Sequence, residues 1–285
     1  MEEILLGDDM THQNPGSGDD FYRAQYARLY SQLASEIRAE AFGEDLGQES
    51  WRSAAEQAEI AKLLRLGPEA RALDVACGAG GPSLALVSRT GCRVVGVDIV
   101  PEGISCATAE AQKRGLSDRA IFTVVAAGQR LPFGDGAFDA IMCIDSVCHF
   151  PDRRFALRDW ARVLKPRGRM IFTDPFVLTG PLSKPDIDGR CALGSNLSFV
   201  PPGYNESAAS EAGLRVMQSV DRAAATAEIS NRWRDARAKR AQILIDEEGE
   251  DWFQRRQVML ATTSRLAVEG RLTRFFYVAE KPEAT

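Results

Sequence analysis

From residue 71 onward, short apolar runs alternate with segments whose apolar positions recur every three or four residues. The runs at 71–76, 93–98, 121–125, 138–144 and 170–173 predict buried strands, since a strand covered on both faces reads as near-continuous apolar sequence. Between them, helices are expected after Pro82, over 101–114 and over 152–164. Gly115 caps the second, and Lys165-Pro166-Arg167-Gly168 stops the third. This alternation predicts an α/β fold with a parallel sheet and helices on both faces. Upstream, Tyr22, Tyr26, Leu29, Leu33 and Ile37 fall on one face of an expected helix, and Tyr30, four residues on from Tyr26, shares it. A Gly-rich loop over 42–51 leads to a second helix, 53–66, which Gly67-Pro68 ends. Residues 1–20 are polar and predict a loose tail. After Asp174 the pattern changes to a long Pro/Gly/Ser-rich loop, 175–202. A short helix at 206–212 and a strand at 214–220 follow. A charged helical hairpin over 225–269, turning near 248–251, then precedes a closing strand at 272–280.

Composition narrows the possibilities. The 285 residues are 45% apolar and 26% charged, an ordinary globular balance with room for one large core. A net charge of −5 speaks against a life on nucleic acid, which asks for a basic face. No run approaches the ~20 apolar residues of a membrane helix, and the acidic start carries no signal-peptide pattern. The six cysteines show no CxxC pair, which predicts reduced thiols and a cytoplasmic setting. With two histidines in all, His12 and His149, no metal centre is expected. The basic run 232–240 is followed by an acidic run at 246–251, so it reads as a solvated helix face and not as an RNA site.

The informative segment is LDVACGAGG, 73–81, at a strand-to-helix turn. Glycines there let a ligand approach the backbone, and the helix start offers free N–H groups. Asp98, ending the next strand, is placed to accept from both hydroxyls of a ribose. A dinucleotide loop would put its third glycine at position 83, where Ser83 stands. Asp74, inside the preceding strand, would repel a pyrophosphate and welcome an ammonium.

These residues resemble the class I S-adenosylmethionine-dependent methyltransferases. LDVACGAGG is similar to their first glycine motif, VVGVDI to their ribose motif, LPFGDGAFD (131–139) to the entry into their fourth strand and LKPRGRMIFTD (164–174) to the run into their fifth. The resemblance covers roughly 53–174. It implies a Rossmann-like, seven-stranded, mainly parallel sheet whose last strand is antiparallel and inserted beside the fifth. It divides the chain into the tail 1–20, lid helices over 21–66 and a cofactor-binding domain over 67–285. As cofactor it implies S-adenosylmethionine (SAM), with Asp74 and Gly80 against the methionine portion, Asp98 on the ribose and Ile99 on the adenine; Ala76 and Gly78 are further cofactor-binding residues. Gln48 of the lid and Asp145 after the fourth strand belong to the same set. Relatives usually carry an acidic residue before the LPF segment to accept from the adenine amino group. Here Ala127 stands there, leaving the backbone N–H of Gly128.

The fourth-strand exit, DSVCHF at 145–150, faces the methyl group in this fold, so His149 is the candidate base or substrate contact. FGEDLGQ, 42–48, resembles the lid of the subgroup that methylates phosphoethanolamine, sarcosine and related amines, in which a tyrosine of the preceding helix works with that histidine. The matching residue is Tyr30. Pro175 stands where a phosphobase enzyme would carry a tyrosine. The expected function is methyl transfer to nitrogen or oxygen of a small-molecule acceptor. The alternatives are a carbon-directed methyltransferase on an isoprenoid or quinone-like acceptor, and a SAM-binding protein without activity.

Overall fold

The computed structural model describes residues 26, 29–126, 128–194 and 197–283. The tail expected over 1–20, most of the stretch before Leu29, and Ala127 lie outside the described residues. The first half alternates as the pattern requires: β1 (Arg71–Val75), β2 (Arg93–Asp98), β3 (Ala120–Val124) and β4 (Phe138–Cys143) pair in parallel in the order β3-β2-β1-β4. Two helices precede them, α1 (Gln32–Phe42) and α2 (Ala54–Leu64); between the strands run α3 (Gly81–Thr90) and α4 (Pro101–Lys113). Helix α5 (Arg153–Val163) leads into β5 (Leu164–Leu178), which pairs in parallel with β4. The last two strands are β6 (Arg215–Asp221) and β7 (Leu272–Glu280). Strand β7 lies between β5 and β6, antiparallel to both. This is the seven-stranded, mainly parallel arrangement that the motifs imply. Its order reverses between β1 and β4, and the carboxyl ends of those strands form the crevice where open α/β sheets bind ligands.

Burial follows the pattern. One core, around Leu73, Phe138, Trp160 and Phe172, lies under α5 and α7 (Tyr204–Glu211); a second, around Ile60, Leu84, Val94 and Ile171, lies under α2, α3 and α4. A third cluster joins α1 to α8 (Ala223–Ala238), α9 (Ala241–Glu248) and α10 (Glu250–Val268) through Phe42, Trp233, Phe253 and Leu260. Among the described residues no helix is long and apolar enough to cross a membrane.

Four expectations change. The N-terminal helix does not run unbroken past Tyr30: α1 starts at Gln32 because Ser31 caps it, its hydroxyl accepting from the Ala34 N–H at 3.1 Å. The hairpin over 225–269 has a third, short helix in its connection, since the chain also breaks at Lys239-Arg240, where Lys239 and Arg240 pair with Glu40 of α1. Its basic run is a solvated face only in part: Arg232 and Lys239 are exposed, whereas Trp233 and Arg237 are buried and Arg237 pairs with Glu248. Finally, β5 extends through Pro175 to Leu178. Proline has no N–H to donate, and it falls in the register shift between Asp174 and Val177. The loop 175–202 therefore begins as strand, and it contains α6 (Lys184–Arg190), held by a capping box of Ser183 and Asp186.

One buried ionic cluster joins these layers. Arg274 of β7, 1% exposed, donates to both oxygens of Glu56 in α2 at 2.6 and 2.8 Å and to Asp145 beyond β4 at 2.5 Å. Arg274→Met should leave two buried carboxylates uncompensated and cost about 3–5 kcal/mol in a urea titration. A loss below about 1 kcal/mol would contradict the role given to the cluster.

Candidate active site

A cavity of about 400 Å³ opens at the carboxyl ends of β1, β2, β3 and β4. On one side it is walled by Ala76, Gly78, Asp98, Ile99 and Gly128, and on the other by Trp51, Phe176, Arg190, Trp233 and Met259. His149 and Asp145 lie on the same wall system, as does Gln48 of the lid loop. Two of the lining residues, Ala76 and Asp145, are non-glycine residues with left-handed backbones, φ 58° and 57°, each one or two residues beyond a strand end. Such conformations persist where the surroundings hold them, and they recur at ligand sites.

The lid loop rests directly on the glycine turn. A Cβ built on Gly81 would lie 1.8 Å from the Leu46 carbonyl oxygen, so no larger residue fits there without moving the lid. Within the loop, the Gln48 amide accepts from the Leu46 N–H at 2.7 Å and donates to the Glu44 carbonyl at 3.0 Å. Trp51 then donates its backbone N–H to Asp145 at 2.8 Å and its indole N–H to Ser230 of α8 at 2.9 Å. Asp145 is fixed from the other side by Thr173, whose hydroxyl donates to it at 2.7 Å.

Asp98 ends β2 as expected. Its carboxylate accepts from the Gly78 N–H at 2.8 Å and from the Val100 N–H at 3.0 Å, so each oxygen holds one backbone donor and keeps a second lone pair. Burial raises its pKa, and those backbone donors oppose the shift. Ile99 beside it is exposed to the cavity.

His149 closes a short 3₁₀ turn, Val147–His149, whose Cys148 carbonyl accepts from both the Ser198 N–H and the Ser198 hydroxyl at 3.0 Å. Ser198 is gripped by Arg153, which pairs with the fully buried Asp174 of β5; Asn205 also donates to Asp174, at 2.8 Å. The imidazole is thus presented from a turn anchored to the sheet.

Three expected site residues stand elsewhere. Tyr30 is not on the cavity wall. The Ser31 cap ends the helical face it was to share with Tyr26, and its hydroxyl donates to the Ala79 carbonyl at 2.8 Å. Burial, followed by Glu110, raises the pKa of that hydroxyl. Tyr26 lines the cavity instead. Asp74 lies behind the loop, where it accepts from the Ser83 hydroxyl of α3. Gly80 also faces away, since a Cβ there would sit 2.7 Å from Ala107 and 2.8 Å from Phe122; it is a packing glycine at φ 75°. Ala127 lies outside the described residues. Conversely, pattern reading missed Arg52, Trp51 and Arg190. The Ser183-x-x-Asp186 cap was the available signal for the helix that carries Arg190.

Residues 73–172 match the family described as Methyltransferase domain. The chain is 33% identical over 154 residues to methyltransferase GfsG of Streptomyces halstedii, covering 53% of this chain and 55% of that one. It is 33% identical over 132 residues to the sarcosine/dimethylglycine N-methyltransferase of Halorhodospira halochloris, 46% of each chain. The chain thus spans about half the length of the curated relatives it matches. In fold it is similar to the phosphoethanolamine N-methyltransferase 2 of Haemonchus contortus solved with S-adenosyl-L-methionine. The TM-score is 0.76 at 19% identity, over 92% of this chain and 60% of that one.

Burial lifts the Asp74 carboxyl from 3.8 to about 6, against the pull of Arg52 and the Ser83 hydroxyl. A carboxyl raised on folding favours the folded state below its unfolded pKa, and that contribution is lost as pH climbs through the folded value. In paired denaturation curves, Asp74→Asn should therefore gain roughly 2 kcal/mol on the native protein between pH 4 and pH 7. An offset that does not change with pH would contradict this.

Proposed function

We propose that this chain transfers a methyl group from SAM to a nitrogen or oxygen of a small-molecule acceptor. The observation that carries the reading is the cavity shared by the glycine turn, Asp98 and His149. The residues fit the cofactor. Asp98 keeps lone pairs for two ribose hydroxyls, Ile99 offers an apolar face to the adenine, and the Gly128 backbone borders the same end. Ala76 and Gly78 offer backbone polar groups to the methionine portion. Arg52 is buried on the cavity wall with Nε and Nη1 lacking hydrogen-bond partners among the described residues, as a site for a carboxylate would require. Gln48 shapes the lid over them, Asp145 fastens it, and Asp74 and Gly80 support the turn from behind.

Bound SAM supplies a methyl group on a positively charged sulfur. The chain's own task is to align the acceptor and to take its proton. His149, on its anchored turn, is the group for the second task, because imidazole titrates near neutral pH. Trp51, Phe176 and Trp233 exclude water from the acceptor side. With this division of labour, Tyr30 acts on the glycine turn and not on the acceptor. The six cysteines, all unpaired in the structure, suit a reducing cytoplasmic setting.

An acceptor-library assay that reads S-adenosylhomocysteine (SAH) release tests the reading; no release with any acceptor would overturn it. With an acceptor in hand, His149→Ala should lower turnover on the order of a hundredfold. SAM affinity should stay within about twofold, and the loss should shrink at high pH for an amine acceptor. Full turnover in that variant would remove the assigned base.

A further inference from the structure

Resting on the methyl-transfer reading, we propose that the acceptor carries a carboxylate that pairs with Arg190. Arg190 ends α6 and is 3% exposed, yet it borders the same cavity as His149. Its Nε and Nη2 are buried with no hydrogen-bond partner among the described residues. The guanidinium carbon lies over the Phe176 ring at 4.0 Å and over the Trp51 ring at 4.6 Å. These contacts offset part of the cost of burying a cation, but they supply no acceptor for its N–H groups.

The other buried arginines nearby are provided for. Arg153 has Asp174, Arg274 has Glu56 and Asp145, and Arg256 has Glu49. Arg52 also has buried Nε and Nη1 without a hydrogen-bond partner among the described residues, but it is the group assigned above to the cofactor's carboxylate. Around Arg190 the ionisable groups are Cys191, Cys148, Asp145 and Asp174, and both aspartates are already matched by other arginines. Burial lowers its pKa to about 10, so it is charged at neutral pH. With Arg52 given to the cofactor, Arg190 is left as the positive charge on the acceptor side whose partner the described residues do not supply.

The shape of that vacancy selects the partner. A guanidinium edge presents coplanar donors that suit two coplanar oxygens. One uncompensated positive charge balances a monoanion, whereas a phosphate dianion would bring a second negative charge close to Asp145 and Asp174. Leu193, Leu197, Trp233 and Met259 line the space nearby, which suits an apolar body on the acceptor. The acceptor class is thus a carboxylic acid with an apolar body and a nitrogen or oxygen that reaches His149.

The test is calorimetric binding of matched probes to the SAH-loaded protein. Phenylacetate, 3-phenylpropanoate and 5-phenylpentanoate are compared with their primary amides and with 2-phenylethyl phosphate. At least one acid should bind about tenfold more tightly than its amide and more tightly than the phosphate. Arg190→Gln should abolish the preference with SAH affinity kept within about twofold, and Arg190→Lys should keep part of it. Absence of a preference in all three pairs overturns the inference, as does tighter binding of the phosphate. Loss of SAH affinity in Arg190→Gln also overturns it, since Arg190 would then serve the cofactor. If the glutamine variant does not fold, the wild-type pairs and the lysine variant still decide. Failure of the wild type to bind SAH would instead sink the methyl-transfer reading itself.

Discussion

Two carboxylates share one guanidinium at the centre of this molecule, and the lid depends on that arrangement. Glu56 comes from the N-terminal region, Asp145 from the end of β4 and Arg274 from the strand inserted beside β5. Burial alone works against charge on Arg274, but Asp145 and Glu56 outweigh it and keep the guanidinium ionised. Because Asp145 also accepts from the Trp51 backbone, the segment that covers the cavity is tied to the sheet through the same group. A buried ion pair is weak evidence for stability but good evidence for position: losing either partner exposes the other's desolvation cost. Here it specifies where the N-terminal helices sit on the sheet.

The cavity follows from that constraint. With α2 fixed, the loop before it must cross the glycine turn, and Gly81 allows the Leu46 carbonyl to come close enough. The left-handed backbones at Ala76 and Asp145 turn the chain away from two neighbouring strand ends, and the crevice opens between them. Helices α8 and α10 complete the far wall through Trp233 and Met259. Of the basic run, Arg237 is spent inside the protein on Glu248, while Lys239 and Arg240, just past α8, pair with Glu40 of α1 at the surface.

Much of this was legible in the sequence, and the reasons are local. Strand periodicity, the glycine turn and Asp98 depend on neighbours within a few residues, and the structure has them where the pattern put them. The closing strand, with its apolar run from Phe275 to Ala279, is also where the pattern put it. What pattern reading missed depended on distant partners. Nothing near Ser31 shows that it will cap a new helix and turn Tyr30 toward Ala79. Asp74 looked like a ligand contact because its strand position is right, but Ser83 on the next helix takes its carboxylate. Arg190 sits in a Pro- and Gly-rich stretch that reads as loop, and its meaning comes only from Trp51, more than a hundred residues earlier, and from Phe176. The cap at Ser183 and Asp186 was visible, yet α6 is too short for periodicity to betray it.

The proposed cofactor site is the crevice at the switch between β1 and β4, with Asp98 as its ribose anchor. Calorimetric titration of SAM into the wild type and into Asp98→Ala tests it most directly, with NAD titrated alongside. Saturable SAM binding is expected, with no comparable NAD binding and a loss of more than about tenfold in SAM affinity when the carboxylate is removed. Equal affinity in the two proteins would contradict it.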